Sequence, residues 1–184
     1  MWRSYTELAQ TFFPNAKIII DKYHFIRQVT WLIENVRMRI QRSMPASLRK
    51  YFKRSRKLIL PLYKKLKDEN KQACDLMLPY SEYLRLAHRM KERFYDICQI
   101  KAYHQQQREF DDWIANALNC GIKEFEDCAR TYRTWRNEIP NAFKYGLTNA
   151  PTKGFNNKIK VIKSSSYGIW NFKRFRIRIL HCTL

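Results

Sequence analysis

The chain has 184 residues, of which 45% are hydrophobic and 15% aromatic, a composition that excludes a disordered protein and permits a buried core. Its 36 lysine and arginine residues against 16 acidic residues give a formal net charge of +20 at pH 7. This excess indicates a polyanionic partner, most commonly nucleic acid, because neutralised phosphates release condensed counterions. A ribosomal or membrane-surface protein is the alternative that composition leaves open.

Two absences in the sequence suggest where the protein resides. No stretch approaches the roughly 18 apolar residues needed to cross a bilayer, and residues 1–5 do not begin a signal peptide. We therefore expect a soluble, cytoplasmic protein that makes no membrane contact. The cysteines form no CxxC pair and predict reduced packing residues rather than disulfides or a zinc site. They are Cys74, Cys98, Cys120, Cys128 and Cys182.

The first predicted elements are a short helix and a strand. Residues 4–13 favour a helix that Pro14 and Asn15 end. The apolar run from Ala16 to Asp21 predicts a buried strand near residues 16–21, the only convincing strand in the sequence. Because a buried strand of this kind needs sheet neighbours that the chain does not supply, we expect part of a sheet to be missing.

Helices are predicted over most of the chain that follows. Val29, Leu32, Ile33, Val36 and Ile40 recur at helical spacing and predict a long amphipathic helix from Lys22 to about Arg42. Similar periods are found over residues 83–101, 110–118, 124–135 and 137–145. Trp135 is interpreted as a core residue, because a single tryptophan on a helix usually packs.

A strongly basic segment lies between these predicted helices. Residues 46–67 contain nine basic and no acidic residues, are broken by Pro61 and predict two short helices. This charge cluster is a candidate for binding phosphate backbone without sequence specificity. Its six candidate residues are Arg49, Lys50, Lys53, Arg54, Arg56 and Lys57.

The final segment is also basic. Residues 151–184 contain eight basic and no acidic residues. Alternation over residues 175–179 suits a strand, whereas Phe172, Phe175 and Ile179 also suit a helix, so the periodicity leaves both open. The neighbouring aromatic residues Trp170, Phe172 and Phe175 are predicted to be core rather than base-stacking residues. The candidate DNA-binding residues here are Lys173, Arg174, Arg176 and Arg178.

Two segments carry a resemblance to a known family. Residues 13–25, FPNAKIIIDKYHF, resemble a segment of bacterial insertion-sequence transposases of the ISL-three branch. The second match is longer and comprises LTNAPTKGFNNKIK at residues 147–160, Ser166-Tyr167-Gly168 and residues 172–180. Together with Trp135, Glu138 and Ile139, it resembles the C-terminal block of the same family.

The resemblance implies a ribonuclease-H-like α/β catalytic domain carrying a large helical insertion. It predicts a mainly α chain that is the C-terminal fragment of such a domain. Residues 1–25 would be the remnant of its core, 26–146 the insertion and 147–184 the closing helices. In the intact family, two Asp and one Glu hold two Mg²⁺ ions that activate water or a DNA 3′ hydroxyl for attack on phosphate.

The sequence departs from this catalytic pattern. Both family aspartates would fall before Met1, and Lys153 stands where the family has its glutamate. An ammonium group cannot ligate Mg²⁺ and repels it. A lysine in the first turn of a helix is also disfavoured by about 0.3–1 kcal/mol. We therefore expect a truncated, catalytically inactive DDE transposase with no intact catalytic residue and no cofactor.

Other residues receive roles through the resemblance. Asp21 and His24 match a family motif near the metal site, where Asp21 would orient and His24 would lie near DNA; by residue type alone, Asp21 is a helix cap. The closing helix supplies a further set of candidates for holding DNA phosphates, with a solvated helix face as the alternative. They are Asn156, Asn157, Lys158, Lys160 and Lys163.

Three interpretations of function stay open at this point. The first is a truncated, inactive transposase that binds DNA mostly non-specifically and, when bound, associates with the bacterial nucleoid. The second is a small basic DNA- or RNA-binding protein without chemistry. The third is an active transposase whose upstream part comes from another reading frame. Self-association, or pairing with a full-length transposase, is also left open.

Overall fold

The structure is a computed structural model that describes residues 3–183. Within that range the chain is mainly helical, as predicted, and divides into two compact units, one ending at Leu147 and the other beginning at Thr148. The α-helices are α1 (Arg3–Phe12), α2 (Lys22–Ser43), α3 (Ala46–Arg54), α4 (Arg56–Ile59), α5 (Asp68–Met77), α6 (Glu82–Ile97), α7 (Tyr103–Leu118), α8 (Lys123–Thr134), α9 (Glu138–Tyr145), α10 (Ala150–Ser165) and α11 (Phe172–Thr183). Short 3₁₀ helices span Tyr63–Lys65 and Leu78–Tyr80.

Helix α2 begins and ends where its sequence dictates. The Asp21 carboxylate accepts a hydrogen bond from the Tyr23 amide at 2.9 Å and caps the N-terminus. Pro45 follows the C-terminal residues and cannot continue the helix. The apolar positions predicted from the helical period face the core, and Phe25, Val29, Ile33 and Val36 are fully buried. The long helix predicted from Lys22 is therefore confirmed.

Four helices form the core of the first unit. Helix α2 packs against α6 and α8, and α7 packs against both α6 and α8, which closes the arrangement. An aromatic cluster of Phe25, Phe94, Phe110, Trp113 and Tyr132 fills the interior. Its two polar groups are satisfied: the Tyr132 hydroxyl donates to the Phe25 carbonyl at 2.6 Å, and Trp113 Nε1 donates to the Met90 carbonyl at 2.9 Å. Trp135 is buried beside this core, as predicted.

The predicted strand near residues 16–21 does not form, and this prediction was wrong. Residues 16–21 are non-helical, and the described residues 3–183 contain no strand. The segment instead contacts α9: the Ile20 amide donates to the Glu138 carbonyl at 3.5 Å, and Asn141 Nδ2 donates to the Ile18 carbonyl at 2.9 Å. A strand requires a neighbouring strand to pair its backbone groups, and here helix residues pair with some of them instead. The ribonuclease-H-like assignment and the three domain boundaries remain predictions.

The second unit consists of α10 and α11, which contact each other. The ambiguous segment at residues 172–179 is helical. The Asn171 side chain accepts hydrogen bonds from the Lys173 and Arg174 amides at 3.0 and 3.3 Å, which caps α11 and favours the helix over the strand. The prediction that Trp170 and Phe172 are core residues was wrong: they are 98% and 73% exposed. Among the hydrophobic residues at positions 148–183, only Ile162 is buried, so this part of the chain offers the aromatic side chains little core.

Candidate nucleic-acid interface

The basic segment of the first unit folds into one stripe of cations. Helices α3 and α4 are separated only by Ser55, whose backbone is also helical. Lys50, Lys53, Arg54 and Lys57 therefore follow each other at i, i+3, i+4 and i+7 on one face, and all four are exposed. Phe52, Ser55, Leu58 and Ile59 are buried and anchor this segment to the core. We call these four exposed cations the basic stripe.

The two arginines flanking the stripe contact α2. Arg49 donates to the carbonyl oxygens of Arg42 and Met44 at 3.5 and 3.3 Å, at the C-terminal end of α2, where a cation is favoured by the helix dipole. Arg56 lies 3.5 Å from Glu34 but remains 68% exposed. All six predicted cations of this segment thus lie exposed on α3 and α4. Arg49 differs from the others because it also donates to carbonyl oxygens at the C-terminal end of α2.

Two buried cations that the sequence did not reveal hold the basic segment in place. Arg37 is 5% exposed and donates to the Phe52 carbonyl at 2.9 Å while pairing with Glu34 at 2.8 Å. Lys91 is fully buried and donates to the carbonyls of Ile59 and Pro61 at 2.7 and 2.6 Å. Its charge is balanced by Glu92 at 2.6 Å, although burial lowers the pKa of Lys91. Both cations thus bind backbone carbonyls near the ends of α3 and α4 and at Pro61, and the Phe52 carbonyl also accepts the Ser55 amide at 3.2 Å.

An aromatic groove lies beside the basic stripe. Its lining includes Tyr23, Arg27 and Trp31, which follow each other at i, i+4 and i+8 on α2, together with Glu34 and Arg56. The Arg27 guanidinium lies 4.5 Å from the centre of the Trp31 ring and donates to the Tyr23 hydroxyl at 3.0 Å. These residues were not predicted from the sequence, although the four-residue spacing of two aromatic residues around an arginine is visible there.

The basic residues of the second unit lie on its two helices. On α10, Lys153, Asn157 and Lys160 share a face through spacings of four and three, with Asn156 and Lys163 at its border, whereas Lys158 lies on another side. On α11, Arg174 and Arg178 share one face and Lys173 and Arg176 another. All ten side chains are exposed. The helix period therefore groups the predicted residues on one face of α10 and two faces of α11, and it separates Lys158.

Lys153 occupies the first turn of α10, where its amide forms the first hydrogen bond of the helix with the Asn149 carbonyl at 2.9 Å. The family's Mg²⁺ ions require clustered oxygen ligands. Across residues 3–183, no three His, Cys, Asp or Glu side chains gather closely enough to hold a metal ion. The described residues therefore do not fit the two-metal site of the family.

Asp21 and His24 are placed at the start of α2. Asp21 caps the helix through its side chain, and His24 is exposed, with its ring centre 5.9 Å from that of Tyr23. The capping role expected from residue type alone is observed. Their supporting role in a full-length enzyme stays a prediction.

Comparison with known proteins gives the family. A family model described as Transposase, that of the ISL-three DDE transposases, matches residues 1–179. The chain therefore belongs to the ISL-three transposase family, which confirms the resemblance. No solved structure matches the chain. Among the described residues, no helix is long and apolar enough to cross a membrane.

One curated protein is similar over part of the chain. It is a protein of Lactococcus lactis subsp. lactis named ATP-dependent protease, 28% identical over 110 residues. The match covers 58% of this chain and 33% of that protein, so the chain spans about a third of its length. The name describes the Lactococcus lactis protein and is not carried over to this chain.

Proposed function

We propose that this chain is a catalytically inactive member of the ISL-three transposase family that binds the phosphate backbone of duplex DNA. The observation that carries the proposal is the basic stripe of Lys50, Lys53, Arg54 and Lys57, exposed on one helical face with no carboxylate in the segment from residue 46 to 67. Family membership supports DNA as the polyanion. It gives no support to the alternative of an unrelated small DNA- or RNA-binding protein.

The stripe suits phosphates rather than base edges. From Lys50 to Lys57 the stripe spans eight residues, or about 10 Å of helix, which is enough to reach more than one phosphate along a duplex. Lysine ammonium groups recognise phosphate as point charges and carry no sequence information. The cations of α10 and α11 would add to the same electrostatic attraction. The binding is therefore proposed to be non-specific and strongly dependent on salt.

The proposed loss of catalysis rests on Lys153. A lysine at the position of the family's glutamate replaces an oxygen ligand by a positive charge, which opposes metal binding. Cleavage would need three carboxylates around the metal ions.

The DNA-binding proposal is tested with the 184-residue chain and a fluorescently labelled 20-base-pair duplex. Fluorescence anisotropy at a series of salt concentrations gives the slope of log affinity against log salt. The triple variant Lys53→Ala, Arg54→Ala and Lys57→Ala is expected to reduce the magnitude of that slope by about two to three, or roughly one for each lost phosphate contact. Circular dichroism confirms that the exposed substitutions leave the helical content unchanged.

A matched control removes the same charge elsewhere in the first unit. Lys101→Ala, Arg108→Ala and Arg133→Ala also replace three exposed cations, and the slope is expected to change by less than about one. Equal losses in the two triple variants would mean that net charge, not the stripe, governs binding. Failure of the unmodified chain to bind duplex DNA at low salt would overturn the proposed function.

The catalytic part is tested separately by nicking of supercoiled plasmid in Mg²⁺ and in Mn²⁺. The unmodified chain is expected to produce no nicked product above a metal-free control. Metal-dependent nicking by this chain would contradict the proposed inactivity. The Lys153→Glu variant is expected to stay inactive as well, because it restores one of the three carboxylates that cleavage needs; nicking by this variant would show that residue 153 alone blocks activity.

A further inference from the structure

We propose that the groove of Tyr23, Arg27 and Trp31 binds an unpaired nucleobase of the DNA whose phosphates contact the basic stripe. This inference rests on the proposed function and adds a second kind of recognition to it, stacking on a base. The aromatic groove is defined by the residues of the first unit that line it. They are Tyr23, Ile26, Arg27, Thr30, Trp31, Glu34, Arg56 and Leu60.

The two aromatic side chains are available for stacking. Trp31 is 55% exposed and Tyr23 is 53% exposed, although each also contacts Arg27. A single exposed aromatic residue is ordinary on a protein surface. Two of them, one helical turn to either side of an arginine and lining one groove, form a platform whose polarisable ring faces suit stacking by a planar base.

Arg27 fixes this platform. Its guanidinium lies 4.5 Å from the centre of the Trp31 ring and 5.5 Å from that of Tyr23, and its donation to the Tyr23 hydroxyl links the two aromatic residues. Contacts at i, i+4 and i+8 on a helix keep these side chains in register. The platform is thus held in place before a ligand binds, which reduces the entropy lost on binding.

The groove joins the phosphate-binding surface. Arg56 and Leu60 line the aromatic groove and also line a second depression with Arg54, Lys57 and Pro61. Arg54 and Lys57 belong to the basic stripe. A strand whose phosphates follow the stripe would therefore bring an adjacent base to Trp31 without leaving the basic surface.

The carboxylate of Glu34, which lines the groove, does not strongly repel the DNA strand. Glu34 lies between Arg37 and Arg56, at 2.8 and 3.5 Å. The hydrogen bond from Arg37 lowers the pKa of Glu34, so the carboxylate stays ionised and its charge is balanced by the two guanidinium groups. It holds Arg56 beside the groove and can accept a hydrogen bond from an exocyclic amino group of a base.

The test compares three DNA probes that share one 20-base-pair duplex. The first is blunt, the second has a four-thymidine 3′ overhang, and the third has an overhang of four abasic sites that retains the phosphates but lacks the bases. The unmodified chain is expected to bind the thymidine overhang about tenfold more tightly than the abasic overhang, because one stacked base contributes on this scale. Both overhangs add the same phosphates, so the difference reports the bases alone.

Substitutions assign the difference to the groove. Trp31→Ala is expected to abolish the preference for the thymidine overhang over the abasic overhang, and Trp31→Phe to retain part of it. Tyr83→Ala is the matched control: Tyr83 is also 53% exposed, with Arg39 5.8 Å from its ring centre, but it lies outside the groove. This variant is expected to keep the full preference.

Each other outcome has a distinct meaning. If the unmodified chain binds the blunt duplex but does not distinguish the two overhangs, the base-binding proposal is overturned and the proposed function stands. If the preference survives in Trp31→Ala, bases bind elsewhere and the groove assignment is wrong. If no probe binds, the proposed function itself fails.

Discussion

The buried ammonium group of Lys91 donates a hydrogen bond of 2.7 Å to the carbonyl oxygen of Ile59. Ile59 is the last residue of α4, so this contact attaches the C-terminal end of α4 to α6. Glu92 strengthens the attachment by pairing with Lys91 and accepting a hydrogen bond from the Tyr63 amide at 3.1 Å. The exposed cations of the stripe thus depend on a buried cation for their position.

Replacing Lys91 by methionine should destabilise the fold. The substitution keeps most of the side-chain volume but removes the donor to Ile59 and Pro61 and leaves Glu92 without its closest cation. We expect the free energy of unfolding to fall by about 3 kcal/mol, measured by urea denaturation followed by circular dichroism. Lys64→Met is the control, because its pair with Asp96 at 3.1 Å is 56% exposed on both sides and should contribute less than about 1 kcal/mol. Equal effects of the two variants would refute the buried role of Lys91.

Stability should fall in mildly acidic solution because of His88. Burial first, and then the nearby Lys91, lowers the pKa of His88 to about 4, against the opposing influence of Glu92 and Asp75. The unfolded chain binds a proton at this residue below about pH 6.5, whereas the folded chain does so only near pH 4. The stabilising contribution of neutral His88 is therefore fully present above about pH 6.5 and declines as the pH falls towards 4. Over this range the free energy of unfolding is expected to fall by about 3 kcal/mol.

The variant His88→Gln isolates this effect from the titration of carboxylates. The free energy of unfolding is measured at pH 7 and at pH 4.5 for both proteins. We expect the unmodified chain to lose more stability than the variant between these two values. Parallel losses would show that His88 does not contribute to acid sensitivity.

The hydroxyl group of Tyr132 should contribute measurably to stability. Tyr132 and Phe25 are fully buried, and the hydrogen bond from the hydroxyl to the Phe25 carbonyl joins α8 to the start of α2. Tyr132→Phe removes this donor and leaves the carbonyl without it, so we expect a loss of about 1.5 kcal/mol in thermal or urea unfolding. Tyr80→Phe, at a site 59% exposed, should change stability by less than about 0.5 kcal/mol. A neutral Tyr132→Phe variant would argue against this hydrogen bond.

Thiol labelling should distinguish Cys182 from the other four cysteines. Cys182 is exposed, whereas burial raises the pKa of Cys74 to about 11 and that of Cys98 and Cys128 to about 12. Burial also raises the pKa of Cys120. Because the thiolate is the reactive form, we expect one rapid equivalent with a disulfide reagent at pH 8 and five equivalents after denaturation. Cys182→Ser should remove the rapid phase; two or more rapid thiols in the native chain would contradict the assignment.

The sequence by itself determined the local elements and the chemistry that depends on residue type. The apolar period of α2 was readable because the spacing of residues determines which of them share a helix face. The Asp21 cap and the acid-free basic segment were readable from residue type alone. The replacement of the family's glutamate by Lys153 was likewise visible once the resemblance identified its position. The resemblance to the family was also readable from the sequence, in residues 13–25 and in the C-terminal block that begins at residue 147.

Only the tertiary structure decided which of these residues are buried and what their backbone groups contact. It placed Ile18 and Ile20 against α9 instead of in a sheet, buried Arg37 and Lys91, and left Trp170 in solvent. The physical reason is that a cation is buried only where carbonyl or carboxylate oxygens from distant parts of the chain converge on it, and a strand forms only where another strand is present. Neither condition is encoded in the spacing of residues along one helix.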